Sequence, residues 1–419
     1  MNIWQDLKWR GLIAQSTDEK VLSELLNNQS IAFYIGFDPT APSLHLGNLM
    51  QILTAKRLQL AGHKPIALVG GATGLIGDPK ESGERNLNEE EIVIDWTNKI
   101  AKQLIKFFDF FGNNKCEVVN NFDWTNKIDA ITLLRDLGKH FSINRMLERE
   151  AVSARLNASG ISYTEFSYAI LQANDYLELN KKYDCVLQTG GSDQWGNITA
   201  GVDLIRRVLS KHVHALTTPL MVKADGNKFG KTEEGTIWLS AELTSPFSFY
   251  QFWLNSDDRD MEHLLKYISL APKNQIEELL HELKEKPAER SAQKFLAKEL
   301  TTLVHSIEEC EQVIAATNAL FGQGELQSIS KDILISALSE AGLAKMVKKA
   351  EETTIVDLLV ETKLCDSKSA AKRTIDEGGA YVNNERITDA NWKVNKNLLI
   401  HGSILVVRKG KKSMAGAIF

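Results

Sequence analysis

Cysteine is scarce in this chain, and long apolar runs are missing. The 419 residues include four cysteines, which are widely separated and form no Cys-x-x-Cys pair: Cys116, Cys185, Cys310 and Cys365. This spacing argues against a structural zinc site and is typical of reduced thiols in the cytoplasm. No apolar segment approaches the length of a membrane span, and early charged residues such as Asp6 and Lys8 do not fit a secretory signal. We therefore expect a cytoplasmic protein without a membrane segment or a resident metal ion.

The chain also lacks a strong net charge, but its charge is unevenly distributed. The formal net charge is −5 at pH 7, which argues weakly against a dedicated nucleic-acid binder. Residues 341–419 carry 14 Lys and Arg against 9 Asp and Glu, a surplus of +5, so the first 340 residues carry −10. An acidic body with a basic tail is the pattern of an enzyme with an appended module for an anionic polymer.

Short apolar runs alternate with amphipathic helical patterns through the first 220 residues. The runs at 31–37, 65–70, 116–119, 184–189 and 216–222 predict buried strands, and segments 46–61 and 89–111 predict helices between them. This alternation predicts an α/β fold, a Rossmann-like nucleotide-binding domain with helices on both faces of its sheet. Polar motifs at 38–48, 70–78 and 189–194 directly follow three of these strands. We expect them to converge on one cleft at the carboxyl ends of the strands.

The pattern changes after about residue 220. We predict four parts: a catalytic domain at 1–220, an α-helical domain at 221–320, a linker at 321–349 and a small α+β module at 350–419. The module is predicted to hold helices near 355–364 and 367–377, followed by strands joined at an Asn383-Asn384 turn. A chain of this length is expected to form more than one hydrophobic core.

Two motifs have the residues that a polyphosphate needs. The first motif, residues 39–48, reads Pro-Thr-Ala-Pro-Ser-Leu-His-Leu-Gly-Asn and supplies Thr40, His45 and a glycine that lets backbone approach a ligand. The second motif, residues 228–232, reads Lys-Phe-Gly-Lys-Thr and brings two ammonium groups to one loop. Residues 226–232 come close to a Walker A loop, but only three residues separate their glycines and the following segment is a poor helix.

Three further motifs are ambiguous when they are considered alone. The glycine-rich segment 70–78 could indicate dinucleotide binding, but it follows the second predicted strand and not the first. Tyr168, Gln172 and Asp175 share one helical face, which is usually a solvent face. Residues 190–196, Gly-Gly-Ser-Asp-Gln-Trp-Gly, could be an ordinary helix start.

Taken in order along the chain, these motifs resemble one known family. The first and second motifs resemble the HIGH and KMSKS signatures of class I aminoacyl-tRNA synthetases, with Asn48 in place of the second histidine. The 70–78, 168–175 and 190–196 segments also match, so the chain resembles the bacterial tyrosyl-tRNA synthetases over essentially its whole length. The resemblance implies ATP-dependent activation of L-tyrosine and transfer to tRNA(Tyr), with Mg²⁺ arriving on the nucleotide. It also implies a homodimer, with the segment 138–144 near the interface.

The resemblance implies roles for individual residues. Tyrosine would be bound by Tyr34, Asp78, Tyr168, Gln172, Asp175 and Gln194. ATP would be bound by Gly36, Asp38, Thr40, His45, Gly47, Asn48, Gly191, Asp193, Lys228, Lys231 and Thr232, of which Thr40, His45, Lys228 and Lys231 would be catalytic. A loop over the pyrophosphate would include Lys80 and Arg85. Residues 221–320 would include an anticodon-binding helical domain, and the tail resembles an RNA-binding fold of a ribosomal small-subunit protein, with Lys368, Lys372, Arg373, Arg408 and Lys409 as RNA contacts.

Three alternatives remain open at the level of sequence. A tryptophanyl-tRNA synthetase shares the two signatures, although Tyr34 with Asp175 suits a phenol better than an indole. A doubly wound dehydrogenase is disfavoured by the position of the glycine-rich segment. A non-enzymatic RNA-binding relative is disfavoured by the intact Thr40 and His45, and Asn48 is the one signature position that favours it.

Overall fold

The computed structural model describes residues 1–79, 83, 87–158, 160–222, 224, 226, 229–232, 235–320, 324–410 and 413–419. The strands are β1 Gln15–Ser16, β2 Ala32–Phe37, β3 Lys64–Val69, β4 Glu117–Asn120, β5 Cys185–Gly191, β6 His214–Thr218, β7 Lys231–Thr232, β8 Gly235–Thr236, β9 Leu343–Lys345, β10 Ala380–Val382, β11 Glu385–Arg386, β12 Ile404–Lys409 and β13 Ser413–Ile418. All five strands predicted for the first 220 residues are present, and each differs from its predicted bounds by a few residues.

The helices connect these strands and make up most of the middle of the chain. They are α1 Ile3–Arg10, α2 Glu19–Asn28, α3 Leu46–Leu60, α4 Thr73–Ile76, α5 Glu90–Ile105, α6 Phe122–Thr125, α7 Ala130–Thr132, α8 Ile143–Leu147, α9 Glu150–Leu156, α10 Tyr163–Tyr183, α11 Trp195–Leu209, α12 Pro246–Leu254, α13 Met261–Ile268, α14 Lys273–Glu285, α15 Ser291–Val304, α16 Ile307–Leu320, α17 Lys331–Ala341, α18 Ile355–Glu361 and α19 Lys368–Asp376. Among the described helices, none is both long and apolar enough to cross a membrane.

The chain divides into two compact units, each discontinuous in sequence. The first comprises Met1–Leu243 and Asp257–Ala292, and the second comprises Thr244–Ser256 and Gln293–Phe419. The predicted helical domain at 221–320 is therefore shared between the two units. The predicted linker at 321–349 holds α17 and β9, so it is folded from residue 331 onward except for short connections.

The sheet of the first unit has the order β1-β6-β5-β2-β3-β4. Its strands are parallel except for β1, which pairs antiparallel with β6. Apolar side chains of β3 such as Ile66 and Leu68 are buried against helices, as expected for a sheet that is covered on both faces. Because the chain runs outward from β2 in both directions, the carboxyl ends of β2 and β5 border the crevice in which such sheets bind ligands. The predicted α/β fold is confirmed.

The last part of the second unit is a five-stranded sheet packed against α18 and α19. Its order is β11-β10-β12-β13-β9, and β9 pairs parallel with the last strand, β13. Asn383 and Asn384 join β10 to β11 with φ of 47° and 68°, the left-handed values that a tight hairpin turn needs. The predicted turn and both predicted helices are present in the module. Its core includes Ile355, Leu358, Ile375, Leu405 and Val407.

Candidate active site

A cavity of about 390 Å³ opens at the carboxyl ends of β2 and β5 in the first unit. It collects fourteen of the predicted site residues from segments that are far apart in sequence: Tyr34, Gly36, Asp38, Thr40, His45, Gly47, Asn48, Asp78, Tyr168, Gln172, Asp175, Gly191, Asp193 and Gln194. The convergence expected from strand ends is therefore observed. A cavity of this volume is large enough for a small ligand.

Tyr34 and Asp175 form a buried polar pair in the lining of this cavity. The side chain of Tyr34 is 1% exposed, and its hydroxyl has no hydrogen-bond partner among the described residues. Burial raises the pKa of Tyr34 well above its ordinary value, and the nearby charge of Asp175 raises it further. Burial also raises the pKa of Asp175 from 3.8 to about 7. A buried hydroxyl without a partner, beside a buried carboxylate, calls for a polar ligand group at this position.

Two residues that the sequence did not reveal hold Asp175. Asn121 Nδ2 donates to Asp175 Oδ2 (3.0 Å) and Trp124 Nε1 donates to Asp175 Oδ1 (2.8 Å). Both bonds oppose the effect of burial by lowering the pKa of the carboxyl group, while the charges of Asp38 and Glu178 raise it. Asn121 and Trp124 lie at the end of β4 and on α6, where the sequence has no recognisable motif. Their role emerges only when β4 is placed next to β3.

A second polar group centres on Asp78 at the end of the glycine-rich segment. Gln194 Nε2 and Asn197 Nδ2 donate to its two carboxylate oxygens at 2.9 and 3.0 Å. Asn197 in turn accepts from Arg149 Nη1 at 3.1 Å. Asn197 lies three residues beyond Gln194 on the start of α11, so its helical spacing from a predicted site residue is the signal that could have found it.

Tyr168 and Asp38 form a direct hydrogen bond in the same cavity. Tyr168 Oη donates to Asp38 Oδ2 (2.5 Å), and Thr73 Oγ1 donates to the other oxygen of that carboxylate (2.6 Å). The side-chain oxygen of Gln172, one helical turn from Tyr168, is buried and has no partner among the described residues. Gly70 is required here because a Cβ at this position would overlap the Asp38 carboxylate. The glycine-rich segment thus allows the Asp38 carboxylate to pack closely against its backbone.

The first motif forms the start of α3. His45 is the N-cap residue, and its Nδ1 accepts the backbone N–H of Gly47 (3.1 Å). Asn48 Oδ1 accepts the backbone N–H of His45 (3.0 Å), which completes a reciprocal cap. A Cβ on Gly47 would lie 2.9 Å from His45 Cε1, so the glycine leaves room for the imidazole. The amide of Asn48 therefore has a structural use at the position where the signature has its second histidine, and Thr40 is exposed beside it.

The second motif lies next to the first through backbone pairing. Leu46 N–H donates to the carbonyl of Ile237 (3.2 Å), and Leu239 N–H donates to that of Leu44 (2.8 Å). Lys231 and Thr232 form β7, but their side chains lie outside what the structure describes. The predicted site residues Lys228, Lys80 and Arg85 are also outside the described residues.

The residues predicted to bind the nucleoside lie at the ends of β5 and β2. A Cβ on Gly191 would overlap the carboxylate of Asp193, so the chain brings that side chain close to the end of β5. Gly36 lies on β2 and is exposed. No group of three or more His, Cys, Asp or Glu side chains within the described ranges is arranged to hold a metal ion.

The predicted RNA contacts belong to the second unit and do not share one environment. Lys368, Lys372 and Arg373 are exposed on α19, and Lys409 is exposed and donates to the carbonyl of Leu364 (3.1 Å). Arg408 is only 9% exposed, because it donates to Asn384 Oδ1 (2.8 Å) and lies over the ring of Tyr381. Arg408 thus supports the hairpin turn in the described structure.

Comparison with known proteins identifies the family. A family model described as tRNA synthetases class I (W and Y) matches residues 26–322, and one described as the tyrosine–tRNA ligase SYY-like C-terminal domain matches residues 335–415. The chain belongs to the class I tyrosyl-tRNA synthetases. Tyrosine–tRNA ligases of Streptomyces avermitilis and Acidothermus cellulolyticus are 55% and 53% identical to it over 416 and 420 residues, which cover 99% of this chain and 98% of each relative.

Solved structures agree with this family. A C-terminally truncated mitochondrial tyrosyl-tRNA synthetase from Aspergillus nidulans has a TM-score of 0.68 at 29% identity, covering 74% of this chain and 92% of its own. A tryptophanyl-tRNA synthetase from Encephalitozoon cuniculi shares the fold with a TM-score of 0.55 at 13% identity, covering 79% and 89% of the two chains. The predicted family and enzyme class, a tyrosine–tRNA ligase that uses ATP, are therefore confirmed.

Proposed function

We propose that the cavity activates L-tyrosine with ATP and that the chain then transfers the tyrosyl group to the 3′-terminal ribose of tRNA(Tyr). The single observation that carries this proposal is the buried pair of Tyr34 and Asp175. The tyrosine hydroxyl would donate to the Asp175 carboxylate and accept from the Tyr34 hydroxyl. The Tyr34 hydroxyl would then be paired in the presence of tyrosine and left unpaired with phenylalanine, whereas Asp175 would keep its bonds from Asn121 and Trp124 in both cases. A site built to hydrogen-bond a substrate hydroxyl rejects the analogue that lacks it, because the buried polar groups of the site are then left unpaired.

The ammonium group of tyrosine is proposed to bind near Asp78. This carboxylate is held by Gln194 and Asn197, so it is already oriented before a cation arrives. The side-chain oxygen of Gln172 is an additional acceptor without a partner among the described residues. Tyr168 would contribute through its hydroxyl, which now donates to Asp38. A pre-oriented acceptor set costs little reorganisation when the substrate binds.

The phosphates are proposed to bind between the two motifs. The tyrosine carboxylate would attack the α-phosphorus of ATP in line, the bond from that phosphorus to the bridging oxygen would break, and pyrophosphate would leave. Mg²⁺ that enters on the nucleotide would offset part of the phosphate charge. Thr40 and His45 would donate to phosphate oxygens as charge develops, and Lys228 and Lys231 would hold the leaving pyrophosphate, with Thr232 and the loop cations Lys80 and Arg85 beside them. Since the protein makes no covalent bond, its contribution is positioning and charge stabilisation.

The nucleoside and the tRNA are proposed to use separate parts of the chain. Gly191 and Asp193 would receive the ribose hydroxyls, with Gly36 and Gly47 allowing close approach and Asp38 and Asn48 orienting the nucleotide. The exposed cations of α19, with Lys409, are proposed as contacts for RNA phosphates, since such contacts need side chains in solvent. Arg408 is proposed to shape this surface through Asn384, since most of its side chain is buried. The four buried free cysteines are in keeping with a reducing cytoplasm.

A second copy of the chain is the proposed partner for the surface around residues 138–144. Large apolar side chains are exposed on the neighbouring segments: Ile131, Leu134, Ile143, Leu147, Leu156 and Tyr163. Clustered exposure of this kind marks a protein interface more often than a free surface. The homodimer thus accounts for apolar groups that the single chain leaves in solvent.

Amino-acid-dependent exchange of pyrophosphate into ATP tests the proposed function. Tyrosine should support exchange, whereas tryptophan and phenylalanine should not at comparable concentrations. Tyr34→Phe should relax discrimination against phenylalanine by roughly 1–3 kcal/mol, the cost of one unpaired buried group. Equal exchange with tryptophan and tyrosine in the unsubstituted enzyme would contradict the assignment of the phenol site.

A further inference from the structure

The second motif lies in a segment whose described residues are 221, 222, 224, 226, 229–232 and 235–237, and this segment is joined to the first motif at its downstream end. Ile237 N–H donates to the carbonyl of Gly230 (3.1 Å), and the carbonyl of Ile237 accepts from Leu46 N–H (3.2 Å). Gly230 has φ of +80°, and a Cβ there would lie 3.0 Å from Leu46 Cβ. The downstream end is therefore attached to the start of α3 by backbone groups.

The upstream end has a side-chain attachment on another helix. Ala224 N–H donates to Asp260 Oδ1 at 2.7 Å, although 36 positions separate the two residues in sequence. Asp260 is 8% exposed and is the N-cap residue of α13. A short hydrogen bond from a backbone N–H to a carboxylate is about twice as strong as one between neutral groups.

The use of Asp260 is unusual for its position. An aspartate at a helix N-cap normally accepts a backbone N–H of the first turn of its own helix. Asp18 does this at the start of α2, where it accepts from Val21 N–H (3.0 Å). The side chain of Asp260 makes no such bond to α13, and its oxygen is bonded to Ala224 instead. The Asp260 carboxylate thus binds the backbone of the second-motif segment and does not cap its own helix.

Helix α13 is a fixed base for this attachment. At its C-terminal end, the buried Arg10 guanidinium donates to the carbonyls of Lys266, Ser269 and Ala271 at 3.1, 2.9 and 2.6 Å. Arg57 Nη2 donates to the same Ser269 carbonyl at 2.5 Å. Because Arg57 lies in the last turn of α3, α13 is joined to the helix that begins at the first motif. The downstream end of the second-motif segment is therefore bonded to α3 directly, and Ala224 at its upstream end is connected to α3 through α13.

We propose that Asp260 is a positioning residue that places the second motif over the phosphates of ATP. The inference rests on the function proposed above for Lys231. When Ala224 is bonded to Asp260, the segment is held from both sides and its ammonium groups meet the leaving pyrophosphate in one arrangement. Without the bond, the downstream attachment remains and the upstream half is displaced. A misplacement of about 1 Å far from the chemistry costs on the order of 100-fold in rate.

The test measures the single-turnover rate constant of tyrosyl-adenylate formation and, separately, the equilibrium dissociation constant of tyrosine. Asp260→Ala should slow adenylate formation roughly 10- to 100-fold and leave tyrosine binding within about twofold. Asp260→Asn keeps an oxygen acceptor and should stay within about threefold of the unsubstituted enzyme. Ala224→Pro removes the N–H from the other side while leaving α13 intact, and it should reproduce the loss. Asp18→Ala is the matched control, since it removes an N-cap aspartate that has no bond to the segment, and its rate should be unchanged.

Combining each change with Lys231→Ala separates positioning from general destabilisation. If Asp260 acts through the second motif, Asp260→Ala should have little further effect once Lys231 is gone, whereas a merely structural role would multiply the two losses. Multiplicative losses, or an Asp260→Ala rate within about twofold of the unsubstituted enzyme, overturn the proposal. An unchanged rate in Lys231→Ala alone would instead refute the function proposed for the loop.

Discussion

The hydrogen bond from Trp124 to Asp175 should set the pH at which tyrosine is recognised. Trp124→Phe removes the indole N–H and keeps most of the ring in place. A hydrogen bond to a charged group contributes about 1.5–3 kcal/mol, and one pKa unit corresponds to about 1.36 kcal/mol. Since this bond lowers the pKa of Asp175, which lies at about 7, its loss should raise that pKa by about one to two units.

The sign follows from which protonation state binds the phenol. Only the ionised Asp175 accepts the tyrosine hydroxyl while it keeps both bonds from Asn121 and Trp124. Activity toward tyrosine should therefore fall as the pH drops through the pKa, and the fall should begin at higher pH in Trp124→Phe. At pH 7.5 the ionised fraction would drop from about three quarters to between about one quarter and a few per cent, so kcat/KM should fall about 3- to 25-fold. Near pH 9.5 most of the loss should disappear.

The assay is tyrosine-dependent pyrophosphate exchange between pH 6 and 9.5, expressed as the ratio of variant to unsubstituted enzyme at each pH. The ratio cancels the titration of the amino and phenol groups of tyrosine itself. Lys182→Gln is the control, since the Lys182 ammonium lies over the Trp124 ring at 4.7 Å and its removal leaves the N–H bond intact. A loss in Trp124→Phe that is the same at every pH would refute the reasoning, because it would mean that Trp124 acts through packing alone.

Two other substitutions address the phosphate site and the tail. Gly47→Ala introduces a Cβ 2.9 Å from the His45 ring and should slow adenylate formation about 10- to 100-fold with tyrosine binding unchanged, as measured by single-turnover kinetics. Exchanging three exposed cations of α19 for glutamine should leave pyrophosphate exchange intact, weaken tRNA binding and reduce the salt slope of its affinity by up to about two to three. The three cations are Lys368, Lys372 and Arg373. Unchanged tRNA affinity would mean that their side chains are only part of a solvated surface.

Patterns that are local in sequence predicted the fold well. The strands β2 and β5 are continuous apolar runs, and the Asn383-Asn384 pair has the left-handed conformations that its turn requires. Segment 331–345 was predicted as part of a linker because its neighbours are polar and rich in glycine. Its helix and its strand β9 are stabilised by contact with β13, some 70 residues later, and local sequence contains no trace of that pairing.

In the candidate site too, residues in local motifs could be predicted from the sequence, whereas residues placed by tertiary contacts could not. Residues within motifs, such as His45 and Asp78, could be predicted to lie in one cleft because their spacing is recognisable, and both line the cavity. Asn121 and Trp124 were missed because they act on Asp175 through tertiary contacts from a neighbouring strand and its following helix. Arg408 was predicted as a phosphate contact from its charge alone, and its burial became visible only with the folded hairpin next to it.

The position of β13 has a consequence for the order in which the protein is completed during synthesis. β9 can find its parallel partner only after Ser413–Ile418 has emerged from the ribosome, because β13 is synthesised after β9. A Cβ on Gly416 would overlap Leu343 and lie 2.8 Å from Leu338 Cβ, so α17 also packs against β13. All segments of the first unit, which end at Ala292, are available much earlier. A nascent chain can therefore assemble the cavity of the first unit while the sheet of the second unit is still open. A stop codon before residue 413 would leave the edge of β12 without its partner strand.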